Sequence, residues 1–246
     1  MFQRTLPVAL LMFVACAAMN AQQAAPRVRT VWDGAYTDAQ AERARTTYES
    51  VCSRCHTLTV QGPTQAQGGG QGGPLSGDKF WTAFTQRSVG DLLRYVTKNM
   101  PNGNGGTLSA ATYADLVALI LKVNGFPVGP AEVTPTAVAD IQIIPKDGPG
   151  ELPANVLVRV VGCLARDGAD WTLTQATVPE RIEQAGIGPN DATRPLGSRS
   201  MPLKFVLTRL DRFAGQRMSV SGMLVGIGGV GGINVTEVSR VADSCQ

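Results

Sequence analysis

Val51–Leu58 reads VCSRCHTL and holds two of the chain's five cysteines and its only histidine. The stretch follows a helical pattern. Thr37, with Gln40 three residues on, has the form of a capping box, and Ala41, Ala44, Tyr48 and Val51 recur at helical spacing up to Cys52. Downstream, Ser88 caps a second amphipathic segment with Val89, Leu92, Leu93 and Val96 on one face. Ser109 caps a third, whose stripe is Tyr113, Leu116, Val117, Ile120 and Leu121, and Asn124–Gly125 supplies its stop. Between the first helix and the rest lies QGPTQAQGGGQGGP, too rich in glycine for regular structure.

Beyond Gly125 the pattern changes. Six prolines (127, 130, 135, 145, 149 and 153) mark a restricted linker, in which AVADIQII is expected to form a short element packed on one of its neighbours. Five β-rich runs follow: NVLVRVVGCLAR, DWTLTQA, LKFVLT, QRMSVSGMLVG and GINVTEVSRVA. A polar loop over 177–200 separates two of them and contains PERIEQAG, a helix candidate. The expected fold is α + β in two domains. An all-α domain over 36–129 is followed by a Pro-rich linker over 130–153 and a small antiparallel, OB-like β-barrel over 154–246. Gly226, Gly228 and Gly231 match G-x-G-x-x-G, but a dinucleotide site needs a helix after the last glycine, and INVTEV reads as a strand.

The first 21 residues carry Arg4, an apolar run from Leu6 to about Met19 and then small residues, the pattern of a secretory signal peptide. A second reading takes FVAC as a loose lipobox, with a lipid anchor at Cys16. No later stretch has the length of apolar sequence that a membrane helix requires. The chain is therefore expected to be exported, periplasmic in a bacterium, with a lipoprotein as the variant form. The formal net charge is only +3 and the basic residues are dispersed, so no nucleic-acid partner is implied. In an oxidising compartment two well-separated cysteines pair, and Cys163 with Cys245 is the expected disulfide.

Cys-x-x-Cys-His is the attachment pattern for c-type haem: Cys52 and Cys55 add to the two vinyl groups and His56 ligates the iron. A structural zinc site needs a further ligand pair nearby, which the sequence lacks. A thioredoxin-type motif belongs between a strand and a helix, whereas Cys52 follows a helix. A plain disulfide leaves the histidine unexplained. With one histidine, bis-His ligation within the chain is excluded, and methionine is the remaining soft donor. Met1, Met12 and Met19 fall in the leader, and Met201, Met218 and Met223 in the β half. Met100, in NMPNGNGG, is left as the second axial ligand.

On YTDAQAERARTTYESVCSRCH, GPLSG and NMPNGNGGTLSAATYADLVALILKVNGFP, in that order, the chain resembles the class I cytochromes c of bacteria from about Tyr36 to Gly129. The resemblance implies one covalent haem c, with the first helix packed across the last. It implies thioether sites at Cys52 and Cys55 and axial ligands at His56 and Met100. It also gives Pro74 a backbone carbonyl that accepts the imidazole N–H. Where the family often has glycine at the helix crossing, this chain offers Ala41 and Ala44. Leu75, Phe80, Trp81 and Leu93 are candidate pocket walls. The C-terminal half resembles an accessory β-domain found after such cytochromes.

The leading expectation is a periplasmic electron carrier rather than an enzyme, with a dehydrogenase or an oxidase as its redox partner. Two alternatives stand beside it. One is a haem-based sensor in which a small ligand displaces Met100; the other is a binding module in the β-domain with a structural haem.

Overall fold

The computed structural model describes residues 28–58 and 72–245. The leader, Cys16 and residues 59–71 of the glycine-rich segment lie outside the described residues.

Among the described residues, four α-helices build the N-terminal half: α1 (Asp38–Thr47), α2 (Asp78–Phe84), α3 (Val89–Asn99) and α4 (Ala110–Val123). The three expected caps are present. Thr37, Ser88 and Ser109 each accept a bond from the backbone N–H three residues on. Only Ser88 completes a box, with Asp91 returning the bond to its N–H. The Gln40 side chain does not return to Thr37. It is buried and binds both backbone groups of Val133, donating to the carbonyl at 3.1 Å and accepting from the N–H at 2.7 Å. After Thr47 the first helix widens into a π turn, Tyr48–Cys52. Such turns arise where one residue is accommodated out of α register.

α1 lies across α4, with Ala41 and Ala44 fully buried between them. Their methyl groups permit the close approach that a larger side chain would block. On the rim, Lys122 of α4 reaches Asp38 at 2.5 Å and Glu42 at 2.6 Å. Helix α4 is capped at Asn124 and the chain turns away at Gly125, whose φ of +77° suits a residue without Cβ.

Two short ladders complete this half. Parallel β1 (His56–Thr57) and β2 (Gly73–Pro74) pair His56 with Gly73, and antiparallel β3 (Arg87–Ser88) and β4 (Gln142–Ile143) pair Arg87 with Ile143. The second ladder lies in the segment expected to pack on a neighbour, since β4 falls within AVADIQII. Val133, Val138, Ile141 and Ile143 are buried in the helical core, so the proline-rich segment is part of that half at least to Ile143. Leu152 belongs to the second core.

The C-terminal half is a β-sheet: β5 (Leu157–Asp167), β6 (Asp170–Ala176), β7 (Glu180–Arg181), β8 (Arg199–Lys204), β9 (Arg217–Val225) and β10 (Gly232–Ala242). The order is β6-β8-β10-β9-β5-β7, β5 also pairs with β6, and β8–β10 is parallel while the other pairings are antiparallel. Alternate residues Val158, Val160 and Leu164 of β5 and Met218, Val220 and Leu224 of β9 face a common core.

Two expectations shift here. LKFVLT is not a strand as written: β8 ends at Lys204, and Phe205 and Leu207 are exposed. PERIEQAG forms no helix, because Glu180–Arg181 pairs with Arg159 and Val158 as an edge strand. Gly226–Gly231 is the turn between β9 and β10, with three of its glycines at positive φ. Cys163 and Cys245 are joined by a disulfide, with Cα atoms 5.7 Å apart.

Candidate functional site

The π turn delivers Cys52 to the edge of the helical core and is followed by a tight turn in which the Cys55 N–H donates to the Cys52 carbonyl at 3.0 Å. The thiols are free; Cys52 is half-buried and Cys55 exposed. Burial, with the neighbouring Cys55 second, pushes the Cys52 thiol above its ordinary pKa. The loop is held by Tyr48, whose hydroxyl donates to the His56 carbonyl at 2.7 Å.

His56 Nδ1 lies 3.0 Å from the carbonyl oxygen of Gly73. A carbonyl can only accept, so Nδ1 carries the proton and the Nε2 lone pair is available to a metal. The acceptor is thus Gly73, not Pro74. The parallel register sets Gly73 opposite His56, while Pro74 stands opposite Thr57. Gly72 shows how closely the backbone approaches: a Cβ there would lie 2.5 Å from the imidazole Cε1.

Met100 follows the last residue of α3 and takes an extended backbone (φ −122°, ψ 144°), which turns the chain out of the helix. Its N–H still donates to Val96, and its carbonyl accepts from the Tyr113 hydroxyl at 2.7 Å. The same Tyr113 oxygen accepts the Leu108 N–H, so one buried phenol joins both ends of the NMPNGNGG loop to α4.

Leu58, Leu75, Trp81, Phe84, Met100 and Leu108 pack against the helical core while remaining partly exposed. Among the expected wall residues, Leu75 and Trp81 belong to this set, whereas Phe80 and Leu93 are core. A helix that reading the sequence missed, α2, supplies Trp81 and Phe84. It is only seven residues long and no side chain caps it at Gly77, so it left little periodic signal. Asn124 ties that wall to α4, donating to the Leu75 carbonyl at 2.9 Å and accepting from the Gly77 N–H at 3.3 Å.

Residues 39–120 match the family described as cytochrome C oxidase, cbb3-type, subunit III. This stretch is a cytochrome c domain. No curated protein and no solved structure matches the chain. The match runs from α1 into α4 and leaves the C-terminal sheet outside it.

A cytochrome c domain carries covalently bound haem c, and the residues here fit that group. Two free thiols stand one turn apart, an imidazole is oriented through Nδ1, and apolar side chains are left half-covered as a porphyrin face requires. Among the described residues, no group of three or more His, Cys, Asp and Glu side chains could hold a metal ion. The domain has the chemistry of an electron carrier. No helix among the described residues is long and apolar enough to cross a membrane.

Proposed function

We propose that the chain is an exported, monohaem electron-transfer cytochrome c, with thioether links at Cys52 and Cys55 and with His56 and Met100 on the iron. The observation that carries this reading is the His56–Gly73 contact. It commits Nδ1 to a carbonyl and leaves Nε2 free beside two unpaired thiols. Bound haem c supplies one-electron Fe(III)/Fe(II) chemistry at a potential raised by a thioether ligand. The protein's own part is orientation and exclusion. Gly73 holds the imidazole plane, Tyr113 holds the Met100 loop, and Trp81, Phe84 and Leu75 keep water from the site. His56 and Met100 would together hold the iron and would leave it no open position for a substrate.

The redox partner is a dehydrogenase or an oxidase, and the oxidase subunit named by the matching family favours the latter. Export rests on residues 1–21, and Cys16 is the site for a lipid anchor if that leader is processed as a lipoprotein signal. We read the C-terminal sheet as an OB-like barrel that docks the carrier. The pairings β5–β6–β8–β10–β9–β5 form a ring with one parallel pair, β8–β10, which supports that topology.

A denaturing gel of the exported protein stained for haem peroxidase activity tests the core of this proposal. The band is expected in the native chain and absent from a Cys52→Ala/Cys55→Ala variant. A native chain without the band, or one whose reduced spectrum lacks c-type bands, overturns it.

A further inference from the structure

The two halves of the chain meet at the corner between α2 and α3, and one side chain there directs both its amide donor and its amide acceptor at the connecting segment and the C-terminal half. Gln86 has a left-handed backbone, φ +60°, which is uncommon for a residue with a Cβ. Its Nε2 donates to the Pro149 carbonyl at 3.0 Å and the Pro179 carbonyl at 3.2 Å. Its Oε1 accepts the Arg181 N–H at 3.0 Å. Proline carbonyls and the free N–H of an edge strand otherwise face water or go unpaired. The Arg181 guanidinium then reaches back to the Thr82 carbonyl in α2 at 3.4 Å, and Arg87 faces Glu183 at 3.7 Å.

The element that Gln86 grips is firmly part of the sheet. β7 pairs with β5, and Glu180 beside Arg181 is held by Arg159 at 3.2 Å and Arg194 at 2.8 Å. The corner leads directly to the candidate haem site. α3 starts at its Ser88 cap two residues after Gln86 and ends at Met100. Eleven residues of helix act as a lever of about 16 Å. On the same side, Phe84 of α2 packs edge-on against Tyr95 of α3, with ring centroids 5.7 Å apart.

We propose that the C-terminal sheet is a brace for this corner, and that Gln86 is a positioning residue for Met100, acting through α3. The inference rests on Met100 as the second axial ligand. It gives the C-terminal half a role that bare docking does not require: a partner bound to the sheet would bear on the ligand through a rigid joint.

The experiment uses the full-length, haem-loaded protein and its Gln86→Ala, Arg181→Ala and Met100→Ala variants. Two readouts report the Met100–iron bond: the far-red charge-transfer band of the ferric protein and the rate at which CO binds the reduced protein. Gln86→Ala is expected to keep c-type visible bands, to weaken the far-red band and to speed CO binding on the order of tenfold, as loss of about one net hydrogen bond's worth of restraint implies. Arg181→Ala should move both readouts the same way by less. It leaves the Arg181 N–H to Gln86 in place, so it serves if Gln86→Ala fails to load haem. If both variants match the native protein while Met100→Ala abolishes the band, the brace is overturned and Met100 stands. A native protein without the band overturns the ligand assignment, and the brace with it.

Discussion

Four cysteines lie among the described residues, and the two halves use their pairs in opposite ways. In the helical half Cys52 and Cys55 are three residues apart, unpaired and at the surface of a core left half-covered. In the sheet, Cys163 and Cys245 are 82 residues apart and closed on each other. Residues three apart meet through local backbone geometry alone, whatever the rest of the chain does. Residues 82 apart meet only because β9 aligns with both β5 and β10, bringing the end of β10 beside Cys163. The first arrangement keeps thiols available for a cofactor; the second takes entropy out of the unfolded chain.

The contrast can be broken at several points. Replacing both Cys163 and Cys245 with serine should have the largest effect. Removing a bridge of this span is expected to cost about 4 kcal/mol in the sheet, seen as a lower midpoint in urea, with haem staining retained. Gln40→Ala should cost about 2 kcal/mol, since it strands the Val133 N–H and carbonyl inside the helical half. Calorimetry should place that loss in the unfolding of the helical half.

Tyr113→Phe removes one hydroxyl that binds both the Met100 carbonyl and the Leu108 N–H. A loss of about 1 kcal/mol is expected, with a weaker far-red band in the loaded protein; an unchanged band would mean that the loop is held elsewhere.

The smallest effect is acid sensitivity of the α1–α4 rim. Hydrogen bonds from Arg45 first and Lys122 second lower the Glu42 pKa to about 2. A depressed carboxylate contributes stability above its unfolded pKa and loses it as pH falls toward the folded value. The rim should therefore weaken between about pH 4.5 and pH 2. Glu42→Gln should flatten that part of the acid-unfolding curve, by little because the site is exposed.

Helical segments and their caps were readable because helix rules are local. The Ser88 and Ser109 caps, the stripes of α3 and α4 and the stop at Gly125 all depend on residues within one or two turns. The strands were readable where β-rich runs are bounded by turn residues, as in Asp170–Ala176 and Gly232–Ala242. Reading failed where a distant partner overrode the local pattern. Gln40 looked like the second half of a capping box until Val133 claimed its amide. Glu180–Arg181 looked helical until β5 offered an edge. The polar loop over 177–200 gave no hint that Asp191 would be buried, accepting from Gly188 N–H and Ser219 Oγ at 2.7 Å each, while the Asp191 carbonyl accepts from Arg217 at 2.9 Å.

For the candidate site the division is similar. By itself the sequence determined the cofactor chemistry and the axial pair to be tested, because Cys-x-x-Cys-His is a local pattern and a single histidine leaves few donors. Tertiary structure alone decided that Gly73 rather than Pro74 orients the ring, that Tyr113 holds Met100, and that Gln86 joins the corner of α3 to the sheet. Each of these is a hydrogen bond between segments far apart in sequence or set by strand register. Such bonds follow from how elements pack, which no local spacing encodes.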